Sequence, residues 1–152
     1  MEPHAQEVKF QLALQTDRLI SGHLDLILST NITAENAVQL AGIYVAYEAD
    51  AYLLTTDAWK NHLPSAAEEM EAEKLEREQI ITPSLTGDHR RLKQYMQQVS
   101  GKYETQAKYD LEQGRQSASS ENQALSGKFS QMANIIPDHG KPFIPPPPVT
   151  SR

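Results

Sequence analysis

A chain of 152 residues with 39% apolar and 22% charged side chains can build one domain around a single core and is too short for two comfortable ones. Its 14 Lys plus Arg against 20 Asp plus Glu leave a net charge of −6, so a protein whose main task is coating phosphate backbones is not expected. The absence of cysteine excludes disulfide scaffolds, thiolate nucleophiles, Cys-ligated zinc and iron–sulfur clusters, and leaves carboxylates, His, Ser, Lys or Tyr for any catalysis.

The first twenty residues, MEPHAQEVKFQLALQTDRLI, mix charged with apolar positions and lack the continuous apolar run of a secretory signal, so an intracellular location is expected. From His4 to about Ser29, Val8, Leu12, Leu19, Ile20, His23, Leu24 and Ile27 recur mainly at spacings of three and four, which predicts an amphipathic helix. Thr30 to Thr33 form a polar break, with Thr33 as the expected N-cap of a second helix and Glu35 placed near the positive end of its dipole.

The second helix is predicted to run from Ala34 to about Leu63. Val38, Ala41, Val45, Tyr52 and Trp59 lie near a heptad seam that Glu48, Thr55 and His62 complete. Alanines and Gly42 along it permit close backbone approach, so it is expected at the centre of the fold. Glu48 and Asp50 at its middle exclude a membrane span, because a charge at the bilayer centre costs about 2.5 to 3.5 kcal/mol even on the most lenient scale.

Ser65 to Glu68 match a capping box and predict the start of a third helix there. Six Glu between Glu68 and Glu78 face only Lys74 and Arg77, so little of this helix should be buried. Thr82-Pro83-Ser84 and Gly87-Asp88 predict a turn. Leu92, Met96, Val99, Tyr103, Ala107 and Leu111 then mark a fourth helix, and Gly114 to Ser120 has the composition of a flexible connection. Leu125, Phe129, Met132 and Ile136 predict a short fifth helix, capped by Ser120 to Gln123 and stopped at Pro137. Six of the nine prolines fall between Pro137 and Arg152, where fixed φ angles and missing N–H donors favour an extended polyproline arm.

The predicted fold is therefore all-α: a helical bundle of four main helices with a short fifth helix and an extended Pro-rich C-terminal arm. The corresponding division is a bundle domain over 1–114, a polar linker and short helix over 115–136, and the arm over 137–152.

Charge is unevenly placed. Residues 1–82 hold 5 basic and 14 acidic side chains, and residues 83–152 hold 9 basic and 6 acidic. The two halves attract each other, within one molecule or between copies. The acidic face is Glu71, Glu73, Glu76 and Glu78. The basic cluster His89, Arg90, Arg91 and Lys93 opposes the dipole of the fourth helix and calls for an acidic partner, either a bound phosphate or the acidic face itself, which a short turn would bring back beside Arg90 and Arg91.

Glu48, Asp50, Asp57 and His62 share one helix and are the candidates for metal or acid–base chemistry, but the paired Glu-x-x-His tetrads of a di-iron bundle are absent. The structural alternative for Glu48 is a carboxylate bonded to a tyrosine or paired with a basic residue of another helix. No nucleophile elbow, Walker loop, dinucleotide fingerprint or calcium loop occurs, so no catalytic residue, metal or cofactor is assigned.

In the arm, Phe143, Ile144, Pro145, Pro146, Pro147, Pro148 and Val149 form a preorganised extended segment with apolar anchors, suited to docking on another protein; the alternative is an untethered solubilising tail. The leading functional expectation is a non-enzymatic structural or adaptor subunit whose arm docks on a neighbouring chain, in a homo-oligomer or a larger assembly. A tailed-phage virion or connector is one setting for such a form. The alternatives are an acidic regulator or inhibitor that presents the Glu-rich helix to a basic protein, and a helical metal-dependent hydrolase.

Overall fold

The computed structural model describes Arg18 and residues 20–146. The expected positions Val8, Leu12 and Leu19, and Pro147, Pro148 and Val149 of the arm, lie outside the described residues. Among the described residues the fold is all-helical, with five helices and no strand, and the periodic stripes read from the sequence account for it. None of these helices is long and apolar enough to cross a membrane.

Residues 20–29 form α1, which turns Ile20, His23 and Ile27 into the core. Its C-terminal end is covered by Lys128, whose Nζ donates to the Thr30 carbonyl at 2.7 Å, where the unsatisfied carbonyls of a helix end attract a cation. The following break closes in a reciprocal cap. The Asn36 N–H donates to Thr33 Oγ1 at 3.3 Å, the Thr33 N–H donates to Asn36 Oδ1 at 2.8 Å, and Ala37 N–H donates to the Thr33 carbonyl at 3.0 Å. Helix α2 (Ala37–Trp59) therefore starts three residues later than expected, with Asn36 and not Thr33 at its N-cap, because Thr33 and Asn36 close a turn over residues 34–36 first.

Helix α2 packs along α3 and also touches α4 and α5, and its small residues make that central position possible. Helix α3 (Pro64–Ser84) differs from expectation at both ends. It starts on Pro64, whose fixed φ suits the first helical position and whose missing N–H would have been unsatisfied there anyway, so the Ser65 capping box does not form. At the other end the helix continues through Pro83, and the turn falls at Leu85–Asp88 instead of at Thr82–Ser84. Gly87 takes φ +92° in this turn, a conformation that L side chains rarely adopt.

Helix α4 (Arg90–Glu112) buries Leu92, Met96, Val99 and Ala107 on the predicted stripe, while Leu111 is exposed. Helix α5 (Gln116–Ile135) is as long as its neighbours, not short, and it absorbs the segment read as a flexible connection. The reason is tertiary. Ser119 Oγ donates to the Ala107 carbonyl at 2.7 Å, and Ser126 and Ser100 each donate to the other's carbonyl at 2.8 Å, so serines that look like linker chemistry tie α5 to α4. The Arg115 N–H donates to the Asp110 carbonyl at 2.8 Å and closes the tight turn between them.

One core cluster joins Ile27 and Ile32, Leu40, Tyr44 and Val45 of α2, Ile80 of α3, Leu92, Met96 and Val99 of α4, and Leu125, Phe129, Met132 and Ile136 at the end of α5. The residues placed in a separate linker region from sequence thus share the core of the helices before them. Phe129 is its pivot, edge-on to Tyr44 at 4.8 Å and stacked on Tyr103 at 5.6 Å. Such side chains each contribute about 1.5 to 3 kcal/mol on burial. Trp59, Ala66, Ala67 and Leu63 form a separate cluster at the α2–α3 corner.

Candidate interaction site

Beyond α5 the chain runs back over the turn between α3 and α4. The His89 N–H donates to the Asp138 carbonyl at 2.8 Å and the Gly140 N–H to the Gly87 carbonyl at 3.0 Å, a single antiparallel bridge between Asp88 and His139. The Phe143 N–H donates to the Ser84 carbonyl at 2.9 Å. Gln39 of α2 holds the next residue by both ends, donating from Nε2 to the Ile144 carbonyl at 2.7 Å and accepting from its N–H at 3.4 Å.

His89 is the centre of this contact, with 0% exposure. Its Nε2 meets the Lys141 carbonyl at 2.8 Å, and a carbonyl only accepts, so Nε2 carries a hydrogen. Its Nδ1 meets Ser84 Oγ at 2.9 Å. Ser84 is as fully buried as His89, so the pair fastens residues 137–144 to the turn and presents no hydroxyl to solvent. The arm anchors divide accordingly. Phe143 is 2% exposed, buried in its own chain against Gly42, and is not available to a neighbouring molecule; Ile144 is 71% exposed, and Pro145 is also exposed. The sequence marks Gly42 only as a point of close backbone approach, and nothing local marks Gln39 or Ser84 as receiving residues.

The basic cluster at the start of α4 finds acids other than those expected. Asp88 binds Arg90 through both carboxylate oxygens at 3.0 and 2.8 Å and accepts the Arg90 N–H at 3.2 Å, and the Arg90 side chain holds its carboxyl well below the usual range. Lys93 Nζ lies 3.8 Å from Asp138. Glu73 and Glu76 do not reach back to Arg90 and Arg91, because Arg77 on their own helix holds both, and Glu78 pairs with Lys74 at 3.7 Å. Of the acidic face only Glu71 is both exposed and without an ion pair to a described residue.

Arg77 is the residue that the Glu-rich run conceals. It is 7% exposed, and its Nε lies 3.2 Å from Glu48 Oε1, itself 4% exposed. The Tyr95 hydroxyl donates to the same Glu48 oxygen at 2.6 Å. The guanidinium also lies over the rings of Tyr52 and Tyr95 at 5.0 and 5.4 Å. Burial works against its charge, yet Tyr95, Glu48 and Tyr52 keep its pKa above the ordinary arginine value. Burial, and then Glu48, raise that of Tyr95. Glu48 therefore has both the tyrosine bond and the basic partner of its structural reading. It is not grouped with Asp57 and His62, which are exposed, and no cluster of three metal-ligating His, Asp or Glu side chains occurs among the described residues.

Between α3 and α4 runs a groove of about 210 Å³ lined by Glu76, Gln79, Ile80, Arg91, Gln94, Tyr95 and Gln98. The sequence draws attention to two of them, Glu76 of the acidic face and Arg91 of the basic cluster. No family model, no curated protein and no solved structure matches this chain.

Proposed function

We propose that the chain is a non-enzymatic adaptor or structural subunit of a multi-protein assembly. It is read as a bundle of helices whose Pro-rich C-terminal arm is rooted on its own body at Phe143 and offers the residues from Ile144 onward to another chain, of its own kind or different. The observation that carries this reading is the change in exposure across one peptide bond, from 2% at Phe143 to 71% at Ile144. A segment of consecutive prolines is already extended, so its docking on an aromatic-lined groove costs little conformational entropy. A root held by His89, Gln39 and the Ser84 carbonyl reduces that cost further, because one end of the segment is fixed before the partner arrives. A tailed-phage virion or connector is the setting in which we place such a subunit, by analogy of form.

Native mass spectrometry of the untagged protein recovered from its source cells tests the reading, with the full chain compared with a chain ending at Ile144. The full chain should appear in a complex heavier than the monomer and the shortened one should be lost from it. Equal incorporation of both, or a monomer in both, overturns the proposal.

A further inference from the structure

The geometry points to the α3–α4 groove as a docking site for an acidic side chain of a partner protein, with Arg91 as the carboxylate anchor. The site goes beyond the arm and does not depend on it.

Four polar groups converge there with no commitment to a described residue. Arg91 makes no ion pair with a described residue, although Arg90 and Lys93 beside it are paired with Asp88 and Asp138. The side-chain amides of Gln79, Gln94 and Gln98, all exposed, make no hydrogen bond to a described residue. Arg91, Gln94 and Gln98 follow one another at helical spacing, so they form a row of roughly 10 Å along α4, opposite Gln79. A guanidinium takes a carboxylate through two parallel N–H bonds, and the amides can donate to its outer lone pairs or to the adjoining peptide carbonyl.

Size and surroundings narrow the occupant. At about 210 Å³ the groove is below the roughly 300 Å³ at which small-molecule and cofactor pockets begin, and it suits one side chain with its peptide unit. Ile80 supplies apolar surface for the methylenes of a Glu. The Tyr95 hydroxyl donates its hydrogen bond to Glu48, so it does not compete as a donor. Glu76 repels an acid at its end of the groove, though Arg77 at 3.2 Å offsets its charge, and this directs the incoming carboxylate toward Arg91. The chain's net charge of −6 does not forbid the approach, since charges more than about 8 Å away are screened at physiological salt.

The test is nitrogen-15 NMR of the full chain titrated with blocked Ala-Glu-Ala tripeptide and, separately, its Ala-Gln-Ala counterpart. The Arg91 Nε–H and the side-chain amides of Gln79, Gln94 and Gln98 should shift together, with a dissociation constant on the order of 1 mM for the Glu peptide. Binding should weaken at least about tenfold for the Gln peptide and for Arg91→Gln, an exposed substitution that leaves the core untouched. If the same resonances move with protein concentration alone, and cease to do so in Arg91→Gln, a second copy supplies the acid and the site is sustained. Equal response to both peptides, shifts spread evenly over Arg90, Lys93 and Lys102, or an unaltered Arg91→Gln overturns the proposal.

Discussion

The ring of Phe143 rests on the backbone of Gly42, where an added methyl group would lie 2.4 Å from Cδ1 and Cε1. A buried aromatic from the end of the described chain thus occupies the space that a glycine leaves on the central helix. The absence of one Cβ in α2 decides where the C-terminal segment is held.

Gly42→Ala should therefore displace the ring and destabilise the fold by about 1 to 3 kcal/mol, the usual cost of overpacking. In a Phe143→Ala background the same change should be neutral or stabilising, since Ala exceeds Gly in helix propensity by about 1 kcal/mol. Urea unfolding of the four proteins of this double-mutant cycle checks the sign reversal; additive effects would contradict the contact.

Arg77 and Glu48 should respond unequally to removal. Arg77→Met leaves the Glu48 carboxylate buried with only the Tyr95 hydroxyl beside it, and should cost about 3 to 5 kcal/mol. Glu48→Gln leaves Arg77 with Glu73 and Glu76 and keeps an acceptor for Tyr95, so the loss should be nearer 1 to 3 kcal/mol. Unfolding midpoints in urea give the order directly, and the reverse order would show that Glu48 is not held by Arg77.

His23 makes stability depend on pH near neutrality. Burial lowers its pKa, with the Nε2–H bond to the Leu40 carbonyl at 2.9 Å working in the opposite direction. A folded value below the unfolded one means that the unfolded chain takes up the proton first. The stabilisation is present above about pH 6.5, the ordinary histidine value, and is lost as pH falls toward the folded pKa, with a slope no steeper than about 1.4 kcal/mol per pH unit. His23→Gln should flatten this part of the profile, measured as melting temperature between pH 7 and pH 5.

Asp110 governs a second, more acidic window. Its burial favours the neutral form, but donors from Arg115, Gln106 and Asn122 outweigh it and hold the carboxyl below the usual range. Its contribution is complete above the ordinary aspartate value of about 3.9 and disappears as pH falls through the folded pKa. The protection of the Arg115 amide, bonded to the Asp110 carbonyl, against hydrogen exchange should fall below about pH 4, and Asp110→Asn should abolish that step.

Helix existence was written along the chain, because a buried stripe on a helix is a local pattern. Leu92, Met96 and Val99, or Leu125, Phe129 and Met132, announce their helices at spacings of three and four whatever they later touch. The polar break at residues 30–33 was legible for the same reason, although the cap of α2 falls on Asn36 and not on Thr33. The candidate sites depended on pairs far apart in sequence, and no local pattern carries those. Ser119 reads as linker until Ala107 accepts its hydroxyl, and Arg77 reads as a solvated charge until Glu48 faces it across two helices. His89 reads as one more positive group until Lys141, 52 positions later, accepts its Nε2–H. Side-chain periodicity specifies which face of a helix is covered. Only the packing of α2, α3, α4 and the C-terminal segment decided which polar groups became partners inside and which, like Arg91, were left facing outward.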